Sequence, residues 1–133
     1  MEPQTKRFRK REAILSYLQH TDAHPSAETV YAGLKSTMPD ISLGTVYRNL
    51  SLFKEQGMVQ SLGSVKGVER FDGNVNPHVH FICTCCGAVK DLHEMHIPRE
   101  LNSQAAVLSH AKIQACQLSF TGVCQECAEK EII

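Results

Sequence analysis

No run in this sequence is apolar for the ~18 consecutive residues that a membrane-spanning helix requires. The basic opening MEPQTKRFRKREAIL is not followed by an apolar segment with a small-residue cleavage site. No secretory leader is therefore expected, and the chain reads as cytoplasmic with no membrane partner. There is no surplus of charge either. Fourteen Lys/Arg balance fourteen Asp/Glu, which taken alone argues against a nucleic-acid binder. Internal repeats and low-complexity tracts are missing. So are H-E-x-x-H and H-x-E followed by P-C-x-x-C, which removes the signatures of zinc proteases and zinc nucleobase deaminases.

What is present is unevenly distributed. Residues 1 to 70 carry ten Lys/Arg against seven Asp/Glu, whereas residues 71 to 133 carry four against seven. All six cysteines lie in the second part. Charge and chemistry change at the same place, which predicts two domains, the first of them basic. Gly73-Asn74-Val75-Asn76-Pro77 has the composition of a hinge. The expected division is residues 1–72, a hinge over 73–77, and residues 78–133.

Three helical patterns precede residue 60. From Lys6 to Gln19, Phe8, Ile14, Leu15 and Leu18 fall along one face. From Ser26 to Thr37, Ser26 suits an N-cap before the stripe Ala27, Val30, Tyr31 and Leu34. SLGTVYRNLSLFKEQG has Ser42 as N-cap, the stripe Val46, Leu50 and Phe53, and Gly57 as stop. MVQSL and VERF then read as short strands around Gly63-Ser64-Val65-Lys66-Gly67. Three helices and a glycine-turned hairpin predict a winged helix-turn-helix that binds double-stranded DNA. Its third helix would lie in the major groove, with Ser42 at a phosphate and Thr45, Tyr47 and Arg48 facing bases or backbone. Lys66 and Arg70 would bring charge to the wing. Alternatively, Tyr47 packs in the core and Arg48 is merely solvated. The run Lys6, Arg7, Arg9, Lys10, Arg11 reads first as a wet charged face.

The stretch HVHFICTCC, His78 to Cys86, concentrates the metal chemistry. In a strand, residues two apart share a side, so His78 and His80 can converge on one ion while Val79 and Phe81 face the core. Cys83-Thr84-Cys85-Cys86 and Cys124-Gln125-Glu126-Cys127 are two C-x-x-C knuckles. Two such pairs complete a tetrahedral thiolate shell, which predicts a structural Zn²⁺ at Cys83, Cys86, Cys124 and Cys127. Cys85 is spare and expected to point away, and Cys116 on KIQACQLSFTG reads as a small core residue. The imidazoles need carboxylates to select a metal. Asp72, Asp91 and the loop residue His24 are candidates, each equally able to be an ordinary surface side chain.

Taken together, HPSAETVY, ISLGTVYRNL, RFD, HVHFICTCCGAVKDLH and GVCQEC resemble the ferric uptake regulator (Fur) family of metal-dependent repressors, over nearly the whole chain from His24 to Cys127. The resemblance implies an α+β chain in which a winged helix precedes a small α/β dimerisation domain holding the structural zinc. It implies a homodimer that reads an inverted-repeat operator, and a regulatory Fe²⁺ or Mn²⁺ held by His24, Asp72, His78, His80 and Asp91. Aspartate at both carboxylate positions is similar to the peroxide-responsive (PerR) branch. That branch implies oxidation of His24 or His78 to 2-oxo-histidine, loss of metal and release of DNA. The alternative within the family is a sensor of iron, manganese or zinc concentration, and a more distant one is a metalloenzyme. The usual Thr-Pro-Gln-Arg stretch before the first helix is missing. Gln114-Ala115-Cys116 also lacks the histidine of a third site, to which His93 and Glu94 could contribute only in part. Amphipathic Ile97 to Leu108 predicts a helix whose Leu101, Ala105 and Leu108 serve either a dimer or the chain's own core.

Overall fold

The computed structural model describes residues 5–130; the outermost residues of both expected domains, 1–4 and 131–133, lie outside that range. The chain divides between Val75 and Asn76 into two compact units.

The first unit contains α1 (Lys6–Gln19), α2 (Ala27–Lys35) and α3 (Leu43–Glu55), followed by β1 (Gln60–Val65) and β2 (Val68–Asp72). Each helix begins at a hydroxyl cap. Thr5, Ser26 and Ser42 accept from the amides of Phe8, Thr29 and Thr45, satisfying donors that the first turn leaves open. The stripes read from the sequence close one core. Ile14, Leu18 and Val30 meet Val46, Leu50 and Phe53, all essentially inaccessible. β1 and β2 pair antiparallel, and the unit is a winged helix-turn-helix. Its wing is tighter than the sequence suggested. Gly63 to Val65 belong to β1, with a register shift between Ser61 and Ser64. The turn is Lys66-Gly67 alone, at φ 54° and 81°, the pair of left-handed residues that a two-residue hairpin demands.

The second unit is a three-stranded sheet ordered β4-β3-β5 with two helices. β3 (Val79–Cys83) runs antiparallel to β4 (Val89–Leu92) and parallel to β5 (Leu118–Gly122). α4 (Arg99–Ser109) lies between β4 and β5 in sequence, and α5 (Gln125–Lys130) follows. Two expectations change here. β5 is shorter than KIQACQLSFTG, so Cys116 precedes the strand and is only half-buried, and Phe120 is 44% exposed. α4 buries none of its residues, and Val107 and Leu108 are 72% and 83% exposed. Its apolar side therefore does not serve this chain's own core.

Gly73, assigned to the hinge by composition, is packed rather than loose. A Cβ there would stand 2.5 Å from the Leu18 carbonyl oxygen and 3.0 Å from the Gln19 nitrogen. Helix backbone cannot step aside as a flexible side chain can. Gly73→Ala is expected to destabilise the first unit by about 1–3 kcal/mol, the usual cost of overpacking, read as a lowered urea midpoint. Wild-type stability would show that α1 yields freely.

Candidate metal centres

The end of β3 and the start of α5 build the sulfur cluster. β3 and β5 pair in parallel with Cys83 opposite Gly122, which delivers Cys124 two residues later to the same end of the sheet. The Thr84 amide bonds the Gly122 carbonyl at 2.8 Å, locking the two turns together. The sulfurs of Cys83, Cys86, Cys124 and Cys127 all lie within 4.8 Å of one another, and Cys86 Sγ is 3.9 Å from Cys124 Sγ. The amides of Cys124 and Cys86 each approach Cys83 Sγ at 3.4 Å. Those amides, with the Cys124 N–H the stronger, pull the Cys83 thiol down to about 6. Amide donors aimed at a thiolate are what a tetrahedral sulfur site needs around its ligands. Cys127 goes the other way. The Cys124 thiol first, then that of Cys85, hold its proton on, and a cation among the sulfurs would offset that. The donor set fits a metal of zinc type. Cys85 is exposed and stands outside the group of four sulfurs.

On the opposite side of β3, the second unit gathers nitrogen and oxygen donors. His80 stands directly across from Asp91 in the β3–β4 register. Asp91 Oδ1 lies 3.2 Å from His80 Nε2 and 3.1 Å from His78 Nε2. The two rings are 4.3 Å apart, centroid to centroid. His78 Nδ1 donates to the Asn76 carbonyl at 2.7 Å, which leaves Nε2 as the nitrogen able to accept a metal. His93 lies at the rim, 68% exposed, with Nε2 3.6 Å from the other Asp91 oxygen. Glu94 is exposed and takes no part in the cluster.

The first unit holds its own pair. His24 and Asp72 are 1% and 5% exposed, with Nε2 3.3 Å from Oδ2. His24 sits at φ 52°, left-handed backbone that a non-glycine residue enters only when its surroundings hold it. Arg70 supplies that hold: Nε donates to the His24 carbonyl and Nη2 to the Ala23 carbonyl, the latter at 3.0 Å. The Phe71 amide bonds the Pro25 carbonyl at 3.0 Å. Arg70 was expected at DNA, but its guanidinium is committed to the loop that presents His24. Spacing alone could not reveal this, because the two residues are 46 apart in the chain. Asp72 is fixed in turn by the Asn74 amide at 2.9 Å.

The expected DNA-reading residues cluster at the start of α3. Ser42 Oγ meets Thr45 Oγ1 at 2.9 Å, and Arg48 Nη2 donates to that same Thr45 hydroxyl at 3.1 Å. Gly44 leaves room for the guanidinium, since a Cβ there would come within 3.1 Å of Arg48 Nη1. Tyr47 is 45% exposed and not in the core. Its hydroxyl donates to Glu28 of α2 at 2.5 Å, which lowers the Glu28 carboxyl and raises the phenol. Lys66 is at the tip of the wing.

A winged helix joined to a four-thiol cluster and imidazole–carboxylate donors defines a regulator rather than an enzyme: a transcription factor of the metal-dependent class. The chain belongs to the ferric uptake regulator family, whose model matches residues 2–121. It is 39% identical over 122 residues to the peroxide operon regulator of Bacillus subtilis, covering 92% of this chain and 83% of that protein. It is 35% identical to the peroxide-responsive repressor PerR of Staphylococcus epidermidis over 91% of this chain and 80% of that protein. The crystal structure of the Campylobacter jejuni peroxide stress regulator superposes with a TM-score of 0.79 at 27% identity, covering 92% and 91% of the two chains. No helix among the described residues is long and apolar enough to cross a membrane.

Cys83→Ser and Cys124→Ser are each expected to abolish tightly held metal, measured by atomic emission on desalted protein, and to lose cooperative unfolding of the second unit. Cys116→Ser should change neither. Full metal content in Cys124→Ser would remove this cluster from consideration as a ligand set.

Proposed function

We propose that this chain is a cytoplasmic, homodimeric transcriptional repressor that binds an inverted-repeat operator when a regulatory Fe²⁺ or Mn²⁺ is bound, and that peroxide releases it. The supporting observation is the split of donors. His24 and Asp72 belong to the first unit, His78, His80 and Asp91 to the second, and each group is held in place by its own hydrogen bonds. Neither group alone offers a full shell, so an ion taking all five binds well only in the arrangement that unites them. Such an ion shifts the population toward that arrangement by its differential affinity. Moving a 1:99 mixture to 99:1 needs ~5.5 kcal/mol of that preference. Mixed imidazole and carboxylate donors suit Fe²⁺ or Mn²⁺, while the four thiolates suit a permanent Zn²⁺. DNA contact is assigned to Ser42, Thr45, Tyr47, Arg48 and Lys66. The second copy is assigned to the exposed α4 side and the outer edge of β5, where Val107, Leu108 and Phe120 lie uncovered.

The peroxide response is supported by aspartate at both carboxylate positions and by the named relatives. A bound ferrous ion would activate peroxide beside the ring carbons of His24 and His78, so that one peroxide oxygen would pass to ring carbon C2 and the other would leave as water. His78 is anchored through Nδ1 to Asn76 and His24 through its backbone to Arg70, so both imidazoles are held still. That oxygenation would give 2-oxo-histidine, weaken ligation by that ring and remove the ion's preference for the arrangement that unites both donor groups.

Fe²⁺-loaded protein treated anaerobically with dilute peroxide is expected to gain about 16 Da on the tryptic peptide containing His24 or His78, with DNA retardation lost in parallel. Mn²⁺-loaded protein should stay unmodified. His78→Ala should keep its zinc and its fold but lose metal-dependent retardation by at least tenfold. Loss of DNA binding with no histidine adduct would assign the chain to metal-level sensing instead.

A further inference from the structure

A cleft of about 490 Å³ opens in the first unit where α1 faces α3. Arg7, Lys10 and Arg11 line it from α1, and Thr45, Arg48 and Asn49 line it from α3. Four of these carry positive charge, and among the described residues the lining contains no carboxylate and no aromatic ring. The neighbours already engage part of this polar surface. Lys10 Nζ is 3.2 Å from the Asp40 carbonyl and 3.5 Å from its carboxylate. Arg48 leans on Thr45 Oγ1, and the Asn49 amide donates to the Thr45 carbonyl at 2.9 Å. Arg11 differs: its Nε is buried and has no hydrogen-bond partner among the described residues. A buried guanidinium N–H without an acceptor is costly, and the Thr45 hydroxyl oxygen in the lining is already engaged by Arg48.

We propose that this cleft seats one backbone phosphate of the DNA duplex, so that α1 shares the grip with α3. The inference rests on the DNA-binding reading above and adds to it a site outside the recognition helix. Phosphate oxygens are anionic acceptors that suit a cleft lined by four cations, and they match the planar fork of a guanidinium. The cleft shares Thr45 and Arg48 with the face of α3 assigned to the major groove. A duplex held there runs its sugar–phosphate strand past α1. Without an aromatic platform nothing in the cleft stacks a base, so the contact anchors the helix without reading sequence. The run Arg7, Lys10, Arg11, which composition alone leaves as a solvated face, acquires a partner of opposite charge.

The test uses the full-length dimer loaded with zinc and Mn²⁺. Wild type and Arg7→Gln/Arg11→Gln are titrated against an operator duplex selected by the wild type and against a scrambled duplex, across a salt series. The double variant is expected to lose affinity severalfold for both duplexes by the same factor. Its slope of log K against log salt should be shallower by about 1 for each phosphate no longer neutralised. Zinc content and Mn²⁺ content should not change, and the thermal midpoint should not fall. Arg11→Lys should restore the salt slope but not the full affinity, because the charge returns without the fork. Wild-type affinity and slope in the double variant, with the wild type binding normally, would overturn the cleft alone. Calorimetric binding of inorganic phosphate that leaves the DNA slope untouched would overturn it as well, in favour of a free-anion site. A wild type that retards neither duplex would overturn this inference together with the DNA-binding reading.

Discussion

The two-residue repeat of β3 governs how the second unit sorts its metal chemistry. Along this one strand His80 turns to the side of Asp91, while Phe81 and Cys83 belong to the side of the sulfur cluster, against which Phe81 packs. Hard and soft donors close together in the chain are thereby kept on separate faces, and neither set can capture the other's ion. The register with β4 puts a carboxylate opposite the imidazole, and the parallel register with β5 brings the second knuckle to the first. A slip of one residue would exchange every side chain between faces. Both centres would be lost together, so strand pairing and metal selection are one constraint.

In the first unit the corresponding constraint is a side chain. The triplet Arg70-Phe71-Asp72 at the end of β2 supplies a guanidinium for the carbonyls of Ala23 and His24, an amide for Pro25 and a carboxylate for the His24 ring. Phe71 also inserts into the core, at 3% exposed. One short strand thus fixes the loop's backbone, its anchoring to the helices and its charge partner. Left-handed backbone at a non-glycine residue carries a cost of roughly 1 kcal/mol or more, which the guanidinium's two bonds offset. The wing is therefore also a support for His24.

Much of this was legible in the residues. The cap-and-stripe pattern of Ser42, Val46, Leu50 and Phe53 fixes α3 because capping and burial are local and periodic. The paired C-x-x-C knuckles reveal the sulfur cluster because each knuckle is a local turn. What escaped depends on partners distant in sequence. Arg70 reads as a wing charge until the Ala23–His24 carbonyls are seen beside it. Gly73 reads as a hinge until Leu18 is seen against it. The hairpin turn shrank to Lys66-Gly67 because a bulge, invisible to composition, absorbed Gly63 into the strand. Amphipathicity leaves the exposure of α4 open, because it marks an apolar side without saying what covers it.

The division of donors also limits how such a regulator can respond. On the proposed reading, each unit alone offers an ion two or three ligands, too few to hold Fe²⁺ or Mn²⁺ firmly against water. Affinity then depends on the domain arrangement, and by linkage the arrangement depends equally on the ion. DNA that selects the same arrangement must tighten the ion by the factor that the ion tightens DNA. A sulfur-rich regulatory site could not work this way, because four thiolates from one unit would keep their ion in every arrangement. Reversibility follows from the regulatory donors being harder, fewer per unit and divided, while permanence follows from the thiolates all belonging to one sheet and its flanking turns.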